Sequence, residues 1–169
     1  VTGISVVAEQ IRQAHQLARE NGVDRLADFA VQDYNQTTFP DESFTVVWGI
    51  ESICYAENKK KFLAEARRIL KNGGRLIIAD FFLNRRPALA SEVARIEKWC
   101  EGWAMPNLPG VEEFRGYLEE AGFKNINFVD ATKHTLPSSR RMYLATIFTY
   151  PFARFLQCIG LRTEVQMKN

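Results

Sequence analysis

The sequence predicts an α/β fold built on a doubly wound, mostly parallel sheet, and three observations support that fold class. Short β-type runs alternate with amphipathic helical segments through the first half of the 169-residue chain. The run at residues 44–48 is continuously apolar, which is typical of a strand buried on both faces. Asn-Gly steps at Asn21 and Asn72 follow the two helical segments, and glycine at such positions commonly ends a helix.

Four strands and two helices are predicted in the first half of the chain. The strands are expected at residues 1–4, 27–32, 44–48 and 75–81, and the helices at residues 8–21 and 59–71. The apolar face of the first helix comprises Ile11, Ala14, Leu17 and Ala18. The apolar face of the second comprises Phe62, Leu63, Ala66, Ile69 and Leu70. The three lysines at residues 59–61 are expected to be solvated.

The second half of the chain predicts a helical cap followed by an apolar helix. Helices are expected at residues 88–104 and 111–121, a fifth strand at residues 124–129 and an apolar helix at residues 136–161. The apolar helix approaches the length of a membrane span, but Arg154 near its middle and Pro151 inside it argue against one. We expect a buried or lid-forming helix that is kinked at Pro151, with no integral membrane span.

Composition and charge narrow the range of partners. The chain has 46% hydrophobic and 25% charged residues, as globular proteins do, and its net charge of +2 includes no basic block long enough to bind nucleic acid. Cys54, Cys100 and Cys158 show neither metal-binding spacing nor an even-numbered disulfide framework. The sequence therefore predicts no metal site, no nucleic-acid partner, and free thiols in a reducing, cytoplasmic environment.

A ligand-facing loop is predicted directly after the strand at residues 44–48. The β-branched run stops at Gly49, and Glu51 and Ser52 bring polar atoms to the end of the strand. Ligands of open α/β sheets bind outside the carboxyl ends of the strands. Residues 49–55 are therefore the first candidate for a site, although an ordinary strand-to-helix turn has the same composition.

Four stretches occur in an order and spacing that are typical of one enzyme family. They are residues 1–10, 31–34 (Val-Gln-Asp-Tyr), 48–52 (Trp-Gly-Ile-Glu-Ser) and 70–76 (Leu-Lys-Asn-Gly-Gly-Arg-Leu). Together they resemble the second to fourth strands, and the turn into the fifth, of class I S-adenosylmethionine-dependent methyltransferases. The branch they resemble most includes tocopherol, sterol and natural-product methyltransferases. The resemblance implies a Rossmann-like fold, S-adenosylmethionine as cofactor, and an apolar small-molecule substrate such as an isoprenoid, lipid or secondary metabolite.

Six residues are predicted to bind the cofactor: Ser5, Gln10, Asp33, Tyr34, Gly49 and Ile50. A carboxylate at a strand end can accept a hydrogen bond from the adenine amine, and a neighbouring backbone N–H can donate to the ring. Asp33 and Tyr34 are placed for these contacts, as the resemblance also implies, although Asp33 could instead cap a turn. The resemblance assigns the ribose hydroxyls to Ser5 and Gln10, for which the alternatives are a helix N-cap and a solvated side chain.

Glu51 and Tyr55 are the predicted catalytic residues. Glu51 follows the strand beside the position expected for the methylsulfonium, where it could orient substrate, stabilise positive charge or act as a base. The family often has a histidine shortly after this position, where this chain has Tyr55. Tyr55 therefore replaces that group, or the reaction proceeds without it, because methyl transfer from a sulfonium depends chiefly on proximity and alignment.

An apolar substrate pocket is predicted in the cap. Its candidate walls are Trp99, Trp103, Met105 and Phe148. Plain core packing is the alternative for each of these side chains. The acceptor atom, whether C, O or N, does not follow from these residues.

The sequence has no glycine-rich loop of the kind that the family carries after its first strand. We therefore expect one partial methyltransferase domain that lacks the family's first and last strands. Its expected parts are residues 1–82 for cofactor binding, 83–123 for the cap, and 124–169 for a strand and an apolar helix. Open strand edges should then be covered by another chain in a homo-oligomer, by a swapped segment, or by a rearranged sheet. Alone, such a piece should bind cofactor poorly and be inactive.

Two other functions stay open at this point. Tyr55 and Lys59 have the Tyr-x-x-x-Lys spacing of nicotinamide-dependent reductases, but they follow the strand too closely to lie in the middle of a helix. The other alternative is a non-catalytic binding or scaffold module with the same fold.

Overall fold

The computed structural model describes residues 1–158, which divide between two compact units. The first unit comprises Val1–Ile126, and the second begins at Asn127. The first contains, in chain order, β1 (Thr2–Ser5), α1 (Ala8–Glu20), β2 (Asp28–Val31), β3 (Phe44–Ile50), a 3₁₀ turn (Ile53–Tyr55), α2 (Lys59–Ile69), β4 (Leu70–Ala79), α3 (Ala90–Gly102) and α4 (Val111–Glu120). The second contains α5 (Thr132–Cys158). The strand–helix alternation confirms the predicted α/β class.

All strand pairing in the described part of the chain is parallel, as predicted. β1 pairs with β2, and Ser5 lies opposite Val31. β3 pairs with β4, and Ile50 lies opposite Ala79. The two pairs form separate two-stranded sheets, so within residues 1–158 no strand joins them and each strand has one edge without a strand partner. These open edges agree with the expectation of a gap in the sheet.

The connection from α2 to β4 is compact and depends on glycine. The helix ends at Ile69 rather than at the predicted residue 71, because Leu70 already pairs with Phe44 of β3. Gly73 has a φ of +76°, which glycine adopts without strain. A Cβ on Gly74 would lie 2.9 Å from the Lys71 carbonyl oxygen. The predicted Asn-Gly-Gly turn before a strand at residue 75 is corrected, because these residues lie inside β4, at an irregularity where the register with β3 shifts between Leu70 and Arg75.

The core of the first unit is built around α2. Its predicted apolar face is confirmed, since Phe62, Leu63, Ala66, Ile69 and the following Leu70 are all buried. Phe114 of α4 is buried as well, and α4 packs against α2. The predicted face of α1 is only partly confirmed, since Ala18 is buried but Leu17 is 57% exposed. The main contacts of α1 with other described elements are those to β1 and β2, and they leave Leu17 exposed.

The fifth strand predicted at residues 124–129 is wrong. This segment is irregular, and no described strand lies beside it to complete a ladder. The carbonyl oxygen of Ile126 instead accepts a hydrogen bond from Nη1 of Arg115, at 3.3 Å. A β-type run of side chains did not form a strand here because it has no pairing partner.

The predicted apolar helix is present as α5, as far as Cys158. It begins four residues earlier than expected, at Thr132, and contains Pro137 and Pro151. Residues 159–161 of the prediction lie outside the described residues, and the kink at Pro151 stays a prediction. No helix in the described part of the chain is long and apolar enough to cross a membrane.

Candidate functional site

The polar residues that follow the four strands define the candidate site. Ser5 ends β1, Asp33 follows β2 by two residues, Glu51 follows β3 directly and Asp80 follows β4 directly. Because both pairs are parallel, Ser5 and Asp33 lie at one end of the first sheet, and Glu51 and Asp80 lie at one end of the second. The Glu51 N–H extends the second ladder by donating to the Ala79 carbonyl at 2.8 Å. These are the carboxyl ends of parallel strands, where open α/β sheets bind ligands.

Tyr34 connects the turn after β2 to the loop after β3. Its hydroxyl donates to the carbonyl oxygen of Ser52 at 3.4 Å. Its ring meets Phe62 edge-on, with centroids 5.6 Å apart. Burial is the main cause that raises the pKa of the Tyr34 hydroxyl, so this group stays neutral and acts as a donor. The side chain of Tyr34, a predicted site residue, thus makes its contacts within the protein. Its backbone is left to contact a ligand.

The turn after β2 contains one buried acceptor without a partner. Oδ1 of Asp33 accepts from the backbone N–H and the side-chain Nδ2 of Asn35, at 2.8 and 2.9 Å. Asp33 therefore does cap its turn, while its side chain stays exposed. Among the described atoms, Oδ1 of Asn35 is buried and makes no hydrogen bond. A buried unpaired acceptor is costly, and at a ligand-facing edge it is a candidate contact for a donor such as an amine. Asn35 was missed because nothing in the sequence shows burial at a turn.

Ser5 and Gln10 are brought together as predicted. The Ser5 hydroxyl donates to Oε1 of Gln10 at 2.7 Å and accepts from the backbone N–H of Val7 at 3.1 Å. Val7, not Ser5, is the N-cap of α1, so Ser5 is not the helix cap that was its alternative. The pair lies at the surface, and Nε2 of Gln10 makes no hydrogen bond to another described residue.

Glu51 has a left-handed backbone conformation, and its carboxylate has no partner among the described residues. Its φ of +47° lies in the left-handed region, which costs a non-glycine residue about 1–3 kcal/mol. Within residues 1–158 its exposed carboxylate makes no hydrogen bond or ion pair. Strained residues of this kind collect at functional sites, where the surrounding structure holds them in place. Glu51 therefore fits the role of a ligand-facing acid.

The loop after Glu51 folds back onto the end of β3. A Cβ on Gly49 would lie 3.0 Å from Oγ of Ser52 and 3.1 Å from Cδ1 of Ile53. The absence of a Cβ at Gly49 thus leaves room for the loop, and a side chain there would be crowded by Ser52 and Ile53. Ile50 is exposed at the strand end, and Tyr55 is exposed at the end of the 3₁₀ turn. The structure gives neither Ile50 nor Tyr55 a partner that would assign its role.

Asp80 was not predicted as a site residue. Its side chain holds the loop after Glu51 by accepting hydrogen bonds from backbone N–H groups of that loop. Its Oδ2 accepts from the N–H groups of Ile53 and Cys54, at 2.8 and 2.9 Å. Its Oδ1 accepts from the N–H of Phe81 at 2.8 Å. An acidic residue directly after an apolar strand was the signal that could have revealed it. Burial, followed by the neighbouring Asp80, raises the pKa of Cys54 to about 12. The Cys54 thiol is therefore protonated at neutral pH and is not a nucleophile.

The prediction that Lys59 is solvated is wrong. Lys59 is only 5% exposed, and its Nζ donates to the carbonyl oxygens of Cys54, Ala56 and Asn107, at 3.3, 2.9 and 3.3 Å. Burial lowers the pKa of this ammonium group. All three of its N–H bonds are used by backbone carbonyls, so Lys59 cannot assist Tyr55 as in a reductase pair. The spacing of Tyr55 and Lys59 is therefore coincidental.

The predicted walls of the substrate pocket differ in exposure. Met105 is buried in a cluster with Cys54 and Cys100, so it belongs to the core. Trp99 near the end of α3 and Trp103 directly after it are exposed, and Trp99 meets Phe81 edge-on at 5.4 Å between ring centroids. The side chain of Phe148 lies outside the described residues.

A cavity of about 740 Å³ lies away from the strand ends. It is lined by Glu57, Asn58, Lys59, Lys60, Asn107, Leu108, Pro109, Glu113 and Tyr117. None of the predicted cofactor-binding or catalytic residues is among them. In the described part of the chain, no group of His, Cys, Asp or Glu is placed to hold a metal ion.

Comparisons with known proteins show which proteins this chain is similar to. Residues 1–78 match the family described as "Methyltransferase domain". The chain is 32% identical over 139 residues to 27-O-demethylrifamycin SV methyltransferase of Amycolatopsis mediterranei, which covers 82% of this chain and 50% of that protein. It is 33% identical over 145 residues to 2-methyl-6-phytyl-1,4-hydroquinone methyltransferase of Synechocystis, which covers 82% of this chain and 44% of that protein. The chain thus spans about half the length of the curated relatives it matches.

A solved structure shows the same fold with a bound nucleoside. Geranyl diphosphate C-methyltransferase from Streptomyces coelicolor, in complex with Mg2+, geranyl-S-thiolodiphosphate and S-adenosyl-L-homocysteine, aligns with a TM-score of 0.67 at 25% identity. The alignment covers 79% of this chain and 46% of that one. Residues 1–78, which match the family, contain Ser5, Gln10, Asp33 and Glu51 together with the buried Lys59.

Proposed function

We propose that this protein, whose residues 1–78 are a methyltransferase domain of the Rossmann-like class, transfers a methyl group from S-adenosylmethionine to an apolar small molecule. The observation that carries the proposal is Glu51, an unpaired acid in a strained conformation at the end of β3, inside the matched segment. Ligand-binding edges of parallel sheets are where such strain is expected.

The residues at the strand ends fit an adenine nucleoside. An adenine amine could donate to the buried Oδ1 of Asn35 and to the free carboxylate oxygen of Asp33, while the backbone N–H of Tyr34 could donate to the ring. Ser5 and Gln10 form a joined polar pair at the end of β1 that suits the ribose hydroxyls. Gly49 and Ile50 complete the proposed cofactor-binding set, since they end β3 directly before Glu51.

Glu51 and Tyr55 are the proposed residues nearest the reacting atoms. When bound, S-adenosylmethionine would supply the methyl group of its sulfonium and leave as a neutral thioether. Because this leaving group is a good one, little acid–base chemistry is required of the protein. The carboxylate of Glu51 can orient a hydroxyl or amine of the acceptor or take up its proton. Tyr55, which is exposed at the end of the 3₁₀ turn that follows Glu51, is proposed to donate a hydrogen bond to the same group. The remaining contribution of the protein is alignment in a pocket that excludes water.

The acceptor is proposed to be apolar, with isoprenoids, lipids and secondary metabolites as candidates. Trp99 on α3 and Trp103 directly after it expose aromatic surface, and Trp99 packs on Phe81, which follows Asp80 at the end of β4. The relatives named for rifamycin, phytyl hydroquinone and geranyl diphosphate substrates support this substrate class. The acceptor atom is left open by this argument.

The open edges of β1 and β3 lead to a proposal about assembly. An unpaired strand edge is readily paired by a further strand, and each of the four strands has one such edge in the described part of the chain. A second copy of the chain or a swapped segment is proposed to fill the gap, and residues 1–169 alone are then expected to bind cofactor weakly. A cytoplasmic location, with Cys54 and Cys100 as free thiols, is part of the same proposal.

Thermal unfolding of the purified protein with added nucleotides tests the proposed function. S-adenosylmethionine or S-adenosylhomocysteine at about 100 times its dissociation constant should stabilise the protein by about 2.7 kcal/mol, whereas NADPH should not. Asp33→Ala should weaken the nucleoside-induced shift, while Asp24→Ala, an exposed acid in another turn, should leave it unchanged. Stabilisation by NADPH alone would favour the reductase alternative, and no shift with any nucleotide would favour the scaffold alternative.

A further inference from the structure

The loop that bears Glu51 is held by its backbone from two sides. On one side, Asp80 at the end of β4 accepts from the N–H groups of Ile53 and Cys54. On the other side, the Lys59 ammonium donates to the carbonyls of Cys54 and Ala56. Cys54 is therefore fixed at both its N–H and its carbonyl group by charged side chains. We call Asp80 and Lys59 together the loop clamp.

Lys59 also donates a hydrogen bond to the segment that joins α3 to α4. We call this segment, residues 103–110, the cap segment. The third N–H of Lys59 donates to the Asn107 carbonyl, 48 residues away in sequence. Nδ2 of Asn107 returns a hydrogen bond to the carbonyl of Glu57 at 3.1 Å. The cap segment is also tied to the chain after Asp80, because the Leu83 N–H donates to the Pro109 carbonyl at 3.0 Å. Lys59 is thus the one described side chain that bonds both the Glu51 loop and the cap segment.

The energetics argue that this arrangement is more than a packing solution. A buried ammonium is costly unless its donors are satisfied, and the positive charge of Lys59 lies at the N-terminus of α2, where the helix dipole opposes it. A methionine of similar length would fill the space without either cost. What only the ammonium supplies is three hydrogen bonds that converge from two separate segments.

We propose that Asp80 and Lys59 are positioning residues that couple acceptor binding in the cap to the orientation of Glu51. This inference rests on the proposed function, because it assigns the acceptor to the cap and the reacting group to the loop. Asp80 fixes the loop relative to β4, and Lys59 fixes the cap segment relative to the loop. A shift of the cap on acceptor binding is therefore transmitted to Cys54 and so to the backbone that follows Glu51.

Two variants and one matched control separate this coupling from simple loss of stability. Lys59→Met removes the three hydrogen bonds while keeping the length of the side chain. Asp80→Asn keeps the shape of the side chain but leaves too few acceptor sites for the N–H groups that Asp80 now satisfies. Leu63→Ala destabilises the same helix from a fully buried position that touches neither segment through hydrogen bonds. All measurements are made well below the melting temperature of the least stable variant.

Hydrogen–deuterium exchange of the purified protein reads the coupling without any turnover. Lys59→Met should speed exchange in both residues 53–56 and 105–110, whereas Asp80→Asn should speed it in residues 53–56 first. Leu63→Ala should change the two segments no more than the rest of the first unit. Faster exchange in residues 53–56 alone for Lys59→Met would overturn the coupling, as would equal effects of Leu63→Ala.

Kinetics with an accepted substrate supply the functional half of the test. Lys59→Met should raise the acceptor KM and lower kcat/KM by about tenfold or more, as expected for loss of charge-assisted hydrogen bonds, while cofactor affinity stays within about twofold. An unchanged acceptor KM would overturn the positioning role. If the intact protein, with its open strand edges paired, shows no methyl transfer, the proposed function fails, and the exchange pattern still decides whether Lys59 couples the two segments.

Discussion

Two parts of the first unit, residues 1–52 and the residues from Ile53 onward, contain similar apolar patterns but differ in how much of each pattern is buried. We call them the two halves of this unit. Among the described residues 1–52, which include β1, α1, β2 and β3, only Ala18 is buried. Between Ile53 and Leu70 nine of the eighteen residues are buried, including the charged Lys59. Both helices show an apolar face at helical spacing, yet only α2 has that face covered by described elements. An amphipathic pattern thus identifies a face, and the neighbours decide whether it is buried.

The difference extends from the helices to the strands. Trp48 and Ile50 of β3 and Ile77 of β4 are exposed although their strands read as buried ones. In the other sheet, Val31 at the end of β2 is exposed as well. These apolar surfaces lie on strands that have open edges, which is where the proposed additional strand would add cover. We therefore expect the same kind of substitution to change the free energy of unfolding less in residues 1–52 than in the residues from Ile53 onward.

The largest expected difference is between two leucines truncated to alanine. Leu63→Ala should lower the free energy of unfolding by about 2–5 kcal/mol, because Leu63 is 0% exposed in the middle of α2. Leu17→Ala in α1 should cost less than about 1 kcal/mol, because that side chain is mostly exposed. Urea unfolding followed by circular dichroism measures both values. Equal losses would mean that Leu17 is covered in solution, for example by the strand proposed to fill the gap.

The fold was largely predictable because its local signals agree with its packing. The parallel strands, the helix ends near Asn21 and Asn72 and the buried face of α2 all follow from spacing and from turn residues that act within a few positions. The failed strand at residues 124–129 shows the limit, because strand formation depends on a partner that no local pattern reports.

The candidate site was predictable only in outline. Parallel topology alone places Ser5, Asp33 and Glu51 at strand ends, so these positions followed from the sequence. Asp80 and Lys59 were missed or misread because their partners are backbone groups up to 27 and 48 residues away. Backbone donors and acceptors look the same at every residue, so sequence patterns contain no record of such contacts.

A smaller difference is expected for two glycines that lie in crowded positions. A Cβ on Gly74 would meet the backbone oxygens of Lys71 and Thr45 at 2.9 and 3.1 Å, so Gly74→Ala should cost about 1–3 kcal/mol. The close contacts of a Cβ on Gly3 in β1 would be with ring atoms of Phe29, at 2.8 and 3.1 Å, and not with backbone atoms. Gly3→Ala should therefore cost less than Gly74→Ala in the same urea experiment. The reverse order would show that the β1–β2 pair is the more tightly packed of the two.

The smallest expected difference is in the dependence of stability on pH, and two glutamate–arginine pairs provide it. Hydrogen bonding to Arg68 is the first cause that lowers the pKa of Glu65 to about 2, and Thr37 adds to it. On α1, hydrogen bonding to Arg12 likewise lowers the pKa of Glu9 to about 2. The two carboxyls thus have similar pKa values in the folded state, but Glu65 is mostly buried and Glu9 is exposed.

A carboxyl whose pKa is lowered by folding stabilises the protein above its unfolded pKa, near 4.5, and loses that contribution as the pH falls through its folded pKa, near 2. Replacing Glu65 by glutamine should therefore flatten the decline of the unfolding free energy between about pH 4.5 and 2 by about 1–2 kcal/mol. Glu9→Gln should change the same curve little, and less still in about 0.5 M salt, because solvent and ions screen an exposed pair. Urea midpoints measured across this pH range for the two variants and the parent provide the comparison. If Glu9→Gln flattened the curve as much as Glu65→Gln, α1 would have to be covered in solution as closely as α2, and the contrast between the two halves would not hold.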